Sequence, residues 1–362
     1  MQEKWEFRIN EEFSHLLFGP EEGVRLGDSI RKVTIPRSDM RFDRIKEIQA
    51  KVKRRSKRAF FFGWSRMFEY SKAEIAAAEL FHLNIWSSFE PAGIECGTQY
   101  TIEDACEECG IARIRRQITP LILDLRKAPK TKDISCTNSN LEWIVTQRLA
   151  ELLVDAKLTG FDLQRVKHKA RYEDDSVDLR AVPSGQELIR RAKVIGIEYM
   201  TTIENTIAFD NWLGRPEQNE LLQRAFAENA ERKRERARKR GTSPPVWYQL
   251  IITSQPVSMV LPTRCGTDPF DDDPDGAYRC PYGHIMGLNL LSEISVARGE
   301  WDGSDLAHTL QYTGYPFPKS QRNFLLPGGC SGNQHLLISP RFREVLLEHK
   351  IKGWSSDVAY LR

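Results

Sequence analysis

The most regular pattern of hydrophobic and polar positions in the chain occurs twice. In Trp143–Phe161 a short apolar run is followed by Leu149, Leu152, Leu153 and Ala156, the i, i+3, i+4, i+7 stripe of an amphipathic helix. In Leu336–Trp354 the same face carries Phe342, Val345 and Leu346, with His349 in the fourth place. Thr146 and Ser339 precede the helices and suit the N-cap, where a side-chain oxygen takes a free amide. Pro340 follows at the first helical position, which its fixed φ favours. Gly160 and Gly353 sit just past each helix, where a positive φ costs glycine little, and an aromatic opens the next strand. The spacing therefore predicts two strand–helix–strand units. They align without a gap over 19 positions, five of them identical.

Further likenesses run in the same order upstream. Phe81–Trp86 and Trp247–Thr253 both read as strands, and Cys96-Gly97-Thr98 matches Cys265-Gly266-Thr267. The turn Cys106-Glu-Glu-Cys109-Gly110 matches Cys280-Pro-Tyr-Gly283-His284, and Cys136 and Cys330 each lie shortly before a strand–helix unit. Repeated order of this kind fixes the architecture. It predicts an internally duplicated α+β protein, with a ribbon-like hairpin and a strand–helix–strand unit in each copy. The expected divisions are a helical N-terminal extension (1–79), a first repeat (80–170), a helical connector (171–246) and a second repeat (247–362). Ile45–Arg58 reads as a basic helix, followed by the aromatic cluster Phe60–Trp64. Glu217–Arg240 reads as a long helix ending in seven basic and two acidic residues.

Composition narrows the class. Forty per cent of the 362 residues are hydrophobic and 28% charged, so a sizeable core is within reach, and the net charge of +3 imposes no global field. The charged N-terminus lacks the apolar core of an export signal, and no apolar run approaches the roughly 20 residues that cross a bilayer. These features predict a cytoplasmic protein with no membrane partner. The seven cysteines, an odd number, are then expected as reduced thiols.

The Cys106-x-x-Cys109-Gly110 turn carries the clearest chemistry. A C-x-x-C knuckle offers two of the four ligands that a structural zinc needs. Cys96 and Cys136 are the candidates to complete that set; Cys265, Cys280, His284 and Cys330 form the corresponding set in the second repeat, with Gly283 in place of its second knuckle cysteine. The bland reading makes all of these small buried thiols in tight turns. A redox pair would open a helix after a strand, whereas here the β-like run Ile111–Ile118 follows. Asp271–Gly276 resembles half of a calcium loop, but Tyr282 occupies the position of the bidentate Glu, which leaves a solvated acidic turn. No nucleophile elbow, phosphate loop or H-E-x-x-H is present, so an enzyme is not expected.

These residues resemble the double-CXXCG motif immunity proteins. The likeness rests on Cys106, Cys109 and Gly110, on Trp143–Val166, and on Leu336–Leu361 with its Ile351–Trp354 turn. It implies a non-catalytic inhibitor that binds and blocks a cognate toxin; Asp268–Arg279, Gln311–Asn323 and the cluster near Trp64 are candidate contact regions. The alternative is a zinc-ribbon nucleic-acid binder using Lys53, Arg54 and Arg55 with Arg232, Lys233 and Arg234. Interleaved Glu residues and the balanced net charge favour a solvated helix face for those runs over a nucleic-acid footprint. A thiol-dependent enzyme ranks third.

Overall fold

The structure is a computed structural model, and it describes residues 1–102, 115–137, 142–169, 244–266, 268–270, 289–313 and 333–362. It is an α+β fold.

Residues 1–79 differ from the helical extension expected of them. They form β1 (Gln2–Asn10), α1 (Glu11–Ser14), β2 (Val24–Arg25), β3 (Ile30–Pro36), α2 (Arg41–Ser56), β4 (Phe61–Glu69) and α3 (Lys72–Ala77). The strands make an antiparallel sheet in the order β2-β3-β1-β4. Trp5, Phe7 and Ile9 alternate along β1, and Val33 and Ile35 along β3, so one face of the sheet is apolar. Phe42, Ile45 and Val52 of α2 are buried in the same cluster. Arg31 is 3% exposed and fully engaged: its guanidinium donates twice to Glu11 at 2.6 and 2.7 Å and also reaches the carbonyls of Gly19, Pro20 and Glu22.

The first repeat contains β5 (Leu80–Ile85), β6 (Ser88–Phe89), α4 (Gly93–Cys96), β7 (Tyr100–Ile102), β8 (Arg115–Gln117), β9 (Ile122–Leu123), β10 (Ile134–Thr137), β11 (Trp143–Thr146), α5 (Gln147–Asp155), β12 (Phe161–Arg165) and β13 (Lys167–His168). The second contains β14 (Trp247–Ile252), β15 (Cys265–Gly266), β16 (Asn289–Leu290), β17 (Ser295–Val296), β18 (Leu306–Thr313), β19 (Asn333–Ile338), α6 (Pro340–Glu348) and β20 (Trp354–Leu361). Both helices are capped as their sequences require. Thr146 Oγ1 accepts from the Leu149 amide, Ser339 Oγ from the Phe342 amide, and Pro340 opens α6. Gly160 and Gly353 have φ of +92° and +111°.

The opening strands of the repeats are exchanged. β5 lies between β19 and β20 in the sheet β17-β20-β5-β19-β18, and β14 lies between β12 and β11 in the sheet β12-β14-β11-β10-β6. Each repeat thus supplies the central strand of the other's sheet. The registers correspond: Trp354 faces Ile85 as Phe161 faces Ile252, and Leu306 faces Ile338 as Ile134 faces Val145. Leu149 and Leu153 of α5 and Phe342 and Leu346 of α6 are buried with residues of both sheets in one shared core.

The seam between repeats is reciprocal. Asp305 Oδ2 accepts from the Thr159 amide, and Asp133 Oδ2 accepts from the Lys352 amide. The Leu306 amide donates to Thr159 O, and the Ile134 amide to Lys352 O. Arg341 and Arg148 each pair with the aspartate of their own repeat and donate to a carbonyl of the other's helix end: Ala156 for Arg341, His349 for Arg148. A Cβ on Gly160 would lie 2.1 Å from Leu306 O, and one on Gly353 2.2 Å from Ile134 O. Both glycines are therefore required twice, by their φ and by the close backbone approach. This paired set of contacts is the signature of a pseudo-twofold axis relating the repeats.

Candidate functional site

The correspondence set by strand pairing locates the expected ligands. Lys167 faces Ile122 as Tyr360 faces Ser295. Thr98 exchanges hydrogen bonds with the backbone of Ile122 through its hydroxyl, and Thr263 does the same with Ser295. Thr98 thus corresponds to Thr263, so the match of Cys96-Gly97-Thr98 with Cys265-Gly266-Thr267 is displaced by four residues. Cys265 stands where the first repeat has Tyr100, and the partner of Cys136 is His308. Three-residue identities are too short to fix a register; paired backbones do so.

Cys96 and Cys136 are both buried, but on opposite faces of the sheet. Cys136 follows Ile134 at alternate spacing on β10 and lies opposite Trp143, and both neighbours pack into the helix-side core. Cys96 belongs to α4, on the side of Ser135, Thr137 and Ile144, where Leu121 and Leu123 form a separate cluster. Burial raises the Cys96 thiol to about 12 and the Cys136 thiol to about 11, the opposite of an activated cysteine. Cys106, Cys109, Cys280, His284 and Cys330 lie outside the described residues, as do Asp271–Gly276, Arg232, Lys233 and Arg234. The strands flanking the Cys106–Cys109 turn, β7 and β8, pair antiparallel. Among the described residues no three His, Cys, Asp or Glu side chains gather as a metal site.

The polar centres that sequence reasoning missed lie at corresponding positions. In the first repeat Glu142 is 1% exposed, and its carboxylate accepts from the Gly93 amide at 2.9 and 3.0 Å, from Thr137 Oγ1 at 2.6 Å and from the Tyr100 hydroxyl. A buried carboxylate needs such a shell of donors. A Cβ on Gly93 would lie 2.6 Å from Glu142 Oε1, so glycine leaves room for the acid. The position of Glu142 in the second repeat is His335. Its Nδ1 lies 3.1 Å from Nε2 of His82, and its Nε2 lies 2.9 Å from Thr313 Oγ1. Burial and Arg66 push His335 down to about 4; burial first, then His335 and Arg66, hold His82 well below the usual histidine range. Both rings are neutral at pH 7.

Arg66 reaches this centre from β4. Burial lowers it to about 10, with Asp357 and Glu293 nearby, and its Nη1 is buried without a hydrogen-bond partner. Burial raises the Asp357 and Glu293 carboxyls. Asp357 accepts from Asn84, and Glu293 from the Tyr360 hydroxyl. A hydroxyl beside an imidazole is an arrangement that can support catalysis, but Thr313 and His82 are 6% and 7% exposed. Through Arg66 the centre joins the N-terminal sheet to the strands β5 and β19.

The basic residues of α2 lie at its C-terminal end. Lys53, Arg54 and Arg55 are exposed in the last turn, where cations complement the helix dipole. The candidate aromatic cluster divides: Phe60 is buried, Trp64 packs against Trp5 with ring centroids 5.4 Å apart, and Phe62 is 54% exposed. His349 caps α6 and is exposed.

A second aromatic surface lies at the end of β5. Trp86 is 57% exposed, with Lys132 Nζ 4.1 Å from its ring centroid. Lys132 adjoins Gly353, and Lys352 and Arg148 both bond Asp133 in the same place. No helix among the described residues is long and apolar enough to cross a membrane. Comparison with protein-family models, curated proteins and solved structures finds no match to this chain.

Proposed function

We propose that this chain is a non-catalytic binding module of the cytoplasm that docks on a partner protein and blocks it, in the manner of an immunity protein holding a toxin. The supporting observation is the contrast between corresponding positions of the two repeats. Those at the seam are alike: Asp133 and Asp305, Arg148 and Arg341, Gly160 and Gly353. Positions beside the seam differ in charge and size. Trp86 stands where the second repeat has Thr253, Lys132 where it has Ser304, and Lys130 where it has Asp302. A duplicated scaffold whose repeats share their seam but differ at exposed positions such as Trp86 is suited to recognition by surface. The titratable groups support the same reading, since thiols and histidines held in their neutral forms by burial include no activated nucleophile or poised base. A structural zinc on the Cys106–Cys109 turn is part of the proposal.

The test is co-expression with each candidate toxin gene from the chain's own genomic neighbourhood. The expected result is restored growth with a stoichiometric complex that survives gel filtration. Absence of both for every candidate overturns the reading. Elemental analysis of purified wild type and Cys109→Ser tests the metal: zinc present in the first and lost in the second is expected, and none in either removes it.

A further inference from the structure

The pseudo-twofold axis provides an internal control for the surface around Trp86. A feature the fold requires would recur at the corresponding place in the other repeat. Asp133 and its arginine do recur, as Asp305 and Arg341. Trp86, Lys130, Lys132 and Lys352 do not; their counterparts are Thr253, Asp302, Ser304 and Thr159. The scaffold is therefore built equally well without an exposed tryptophan and the lysines Lys132 and Lys352 at this site.

The charges there are unbalanced. Asp133 is the acid within the patch, and it is occupied: Oδ1 by Arg148 at 3.1 Å and Oδ2 by the Lys352 amide at 3.0 Å. Lys130, Lys132 and Lys352 form no salt bridge among the described residues. An ammonium at 4.1 Å covers part of the indole, which leaves a large apolar surface rimmed by cations. Central tryptophans surrounded by polar and charged side chains are the common anatomy of interface hot spots.

We propose that this surface, centred on Trp86 and flanked by Lys132, Lys352 and Arg148, is the docking face for an acidic patch on a partner protein. It rests on the blocking-module reading and gives that module its contact face. The layout favours a protein over a nucleic acid. One cation, Lys132, covers one tryptophan, with no strip of successive stacking rings beside it among the described residues, and the net charge of +3 supplies no general attraction for a polyanion.

The test uses fluorescence anisotropy on the full chain with two probes, a labelled oligo-glutamate peptide and a labelled oligo-dT. The variants are W86A, the double charge reversal K132E/K352E, and S304E/T159E at the corresponding positions of the second repeat, each checked for folding by circular dichroism. The expected result is salt-sensitive peptide binding that weakens about tenfold or more in W86A and in K132E/K352E and is unchanged in S304E/T159E. Equal losses at the two ends, or none at either, overturn the proposal. So does oligo-dT binding more tightly than the peptide through the same residues, which would assign the surface to nucleic acid. Co-expression with toxin separates this proposal from the one beneath it. If K132E/K352E still protects, the docking face falls and the blocking module stands. If the wild type never protects but binds the peptide through Trp86, the blocking reading falls and the acidic-ligand surface stands.

Discussion

Replacing Gly160 with alanine tests the reciprocal seam directly. Two separate costs arise there. The residue holds φ at +92°, and an L side chain in the left-handed region costs about 1–2 kcal/mol. The new Cβ would also lie 2.1 Å from Leu306 O and 2.8 Å from Ser304 Cβ. The first is a backbone atom, so the crossing itself must open. That opening strains the Thr159 amide's bond to Asp305 at 3.0 Å and the Leu306 amide's bond to Thr159 O at 3.1 Å. At about 1 kcal/mol net for each bond, the total reaches roughly 3–4 kcal/mol. Two other glycines separate the costs. Gly303 has φ +84° with nothing within 4 Å of a Cβ, so Gly303→Ala should lose only the conformational part, about 1–2 kcal/mol. Gly299 has neither constraint, and Gly299→Ala should fall within about 0.5 kcal/mol of wild type. Gly353→Ala, at φ +111° and 2.2 Å from Ile134 O, should match Gly160→Ala. The assay is equilibrium urea unfolding followed by circular dichroism. If Gly160→Ala costs no more than Gly303→Ala, the close seam described above is wrong.

Other residues give independent tests. Glu142→Gln keeps the shape but loses the charge that the Gly93 amide and two hydroxyls serve; a loss of about 2–3 kcal/mol is expected in the same urea titration, and a neutral result would mean the carboxylate is not the acceptor for all three. Arg31 lowers the Glu11 carboxyl by hydrogen bonding, and Arg41 lowers Glu22 and Asp39 in the same way. Acids with depressed values in the fold add stability above their unfolded range near pH 4, and that stability disappears as pH falls through the folded values. The N-terminal unit should weaken on acidification below about pH 4, and Glu11→Gln should flatten that dependence; an unchanged profile would remove the Glu11–Arg31 pair as its source. Cys96 and Cys136, raised to about 12 and about 11, should resist iodoacetamide at pH 8 until urea unfolds the chain; rapid labelling of either in the native protein, read by peptide mass, would show that its thiol is reachable.

What was legible in the sequence was local. The strand–helix–glycine units could be read because their caps, apolar stripes and glycines each act within one turn of the chain, and Thr146, Ser339, Pro340, Gly160 and Gly353 all take the expected roles. The N-terminal sheet had a local signal too. Trp5, Phe7 and Ile9 alternate with Lys4, Glu6 and Arg8 as a half-buried strand should, a period of two that the expectation of a helical extension passes over. The site was less legible because its parts are distant in sequence. Glu142 meets Gly93 across 49 residues, and His335 meets His82 across 253. Such pairings depend on which strand lies beside which. The sequence alone was silent on that point, since Leu80–Ile85 and Trp247–Ile252 carry nearly the same apolar pattern and each could fill either sheet.

The exchange of those strands has a consequence for the second repeat on its own. Residues 244–362 contain β18, β19, β20 and α6 but not β5, which pairs with β20 over six positions, Leu80 to Ile85, and with β19 over three. Without β5 both neighbours present open edges to solvent. The core also loses Phe81 and Leu83, each 2–3% exposed, and large apolar side chains removed from a core cost about 2–5 kcal/mol apiece. That loss matches the whole stability of an ordinary domain of about 5–15 kcal/mol, so the fragment should not fold cooperatively. The register also shows how to repair it. Leu80 faces Ala359 in an antiparallel pair, so a strand appended after Arg362 through a short Asn-Gly turn would run back along β20 as a hairpin. Residues 77–86 fused there, so that Ala77 follows the turn opposite Arg362 and Leu80 again faces Ala359, should restore a cooperative urea transition that the bare fragment lacks. Both fragments omit the N-terminal sheet, so its absence cannot account for a difference between them. A bare fragment that unfolds with the same midpoint as the fused one would mean that β5 is not the strand completing this sheet.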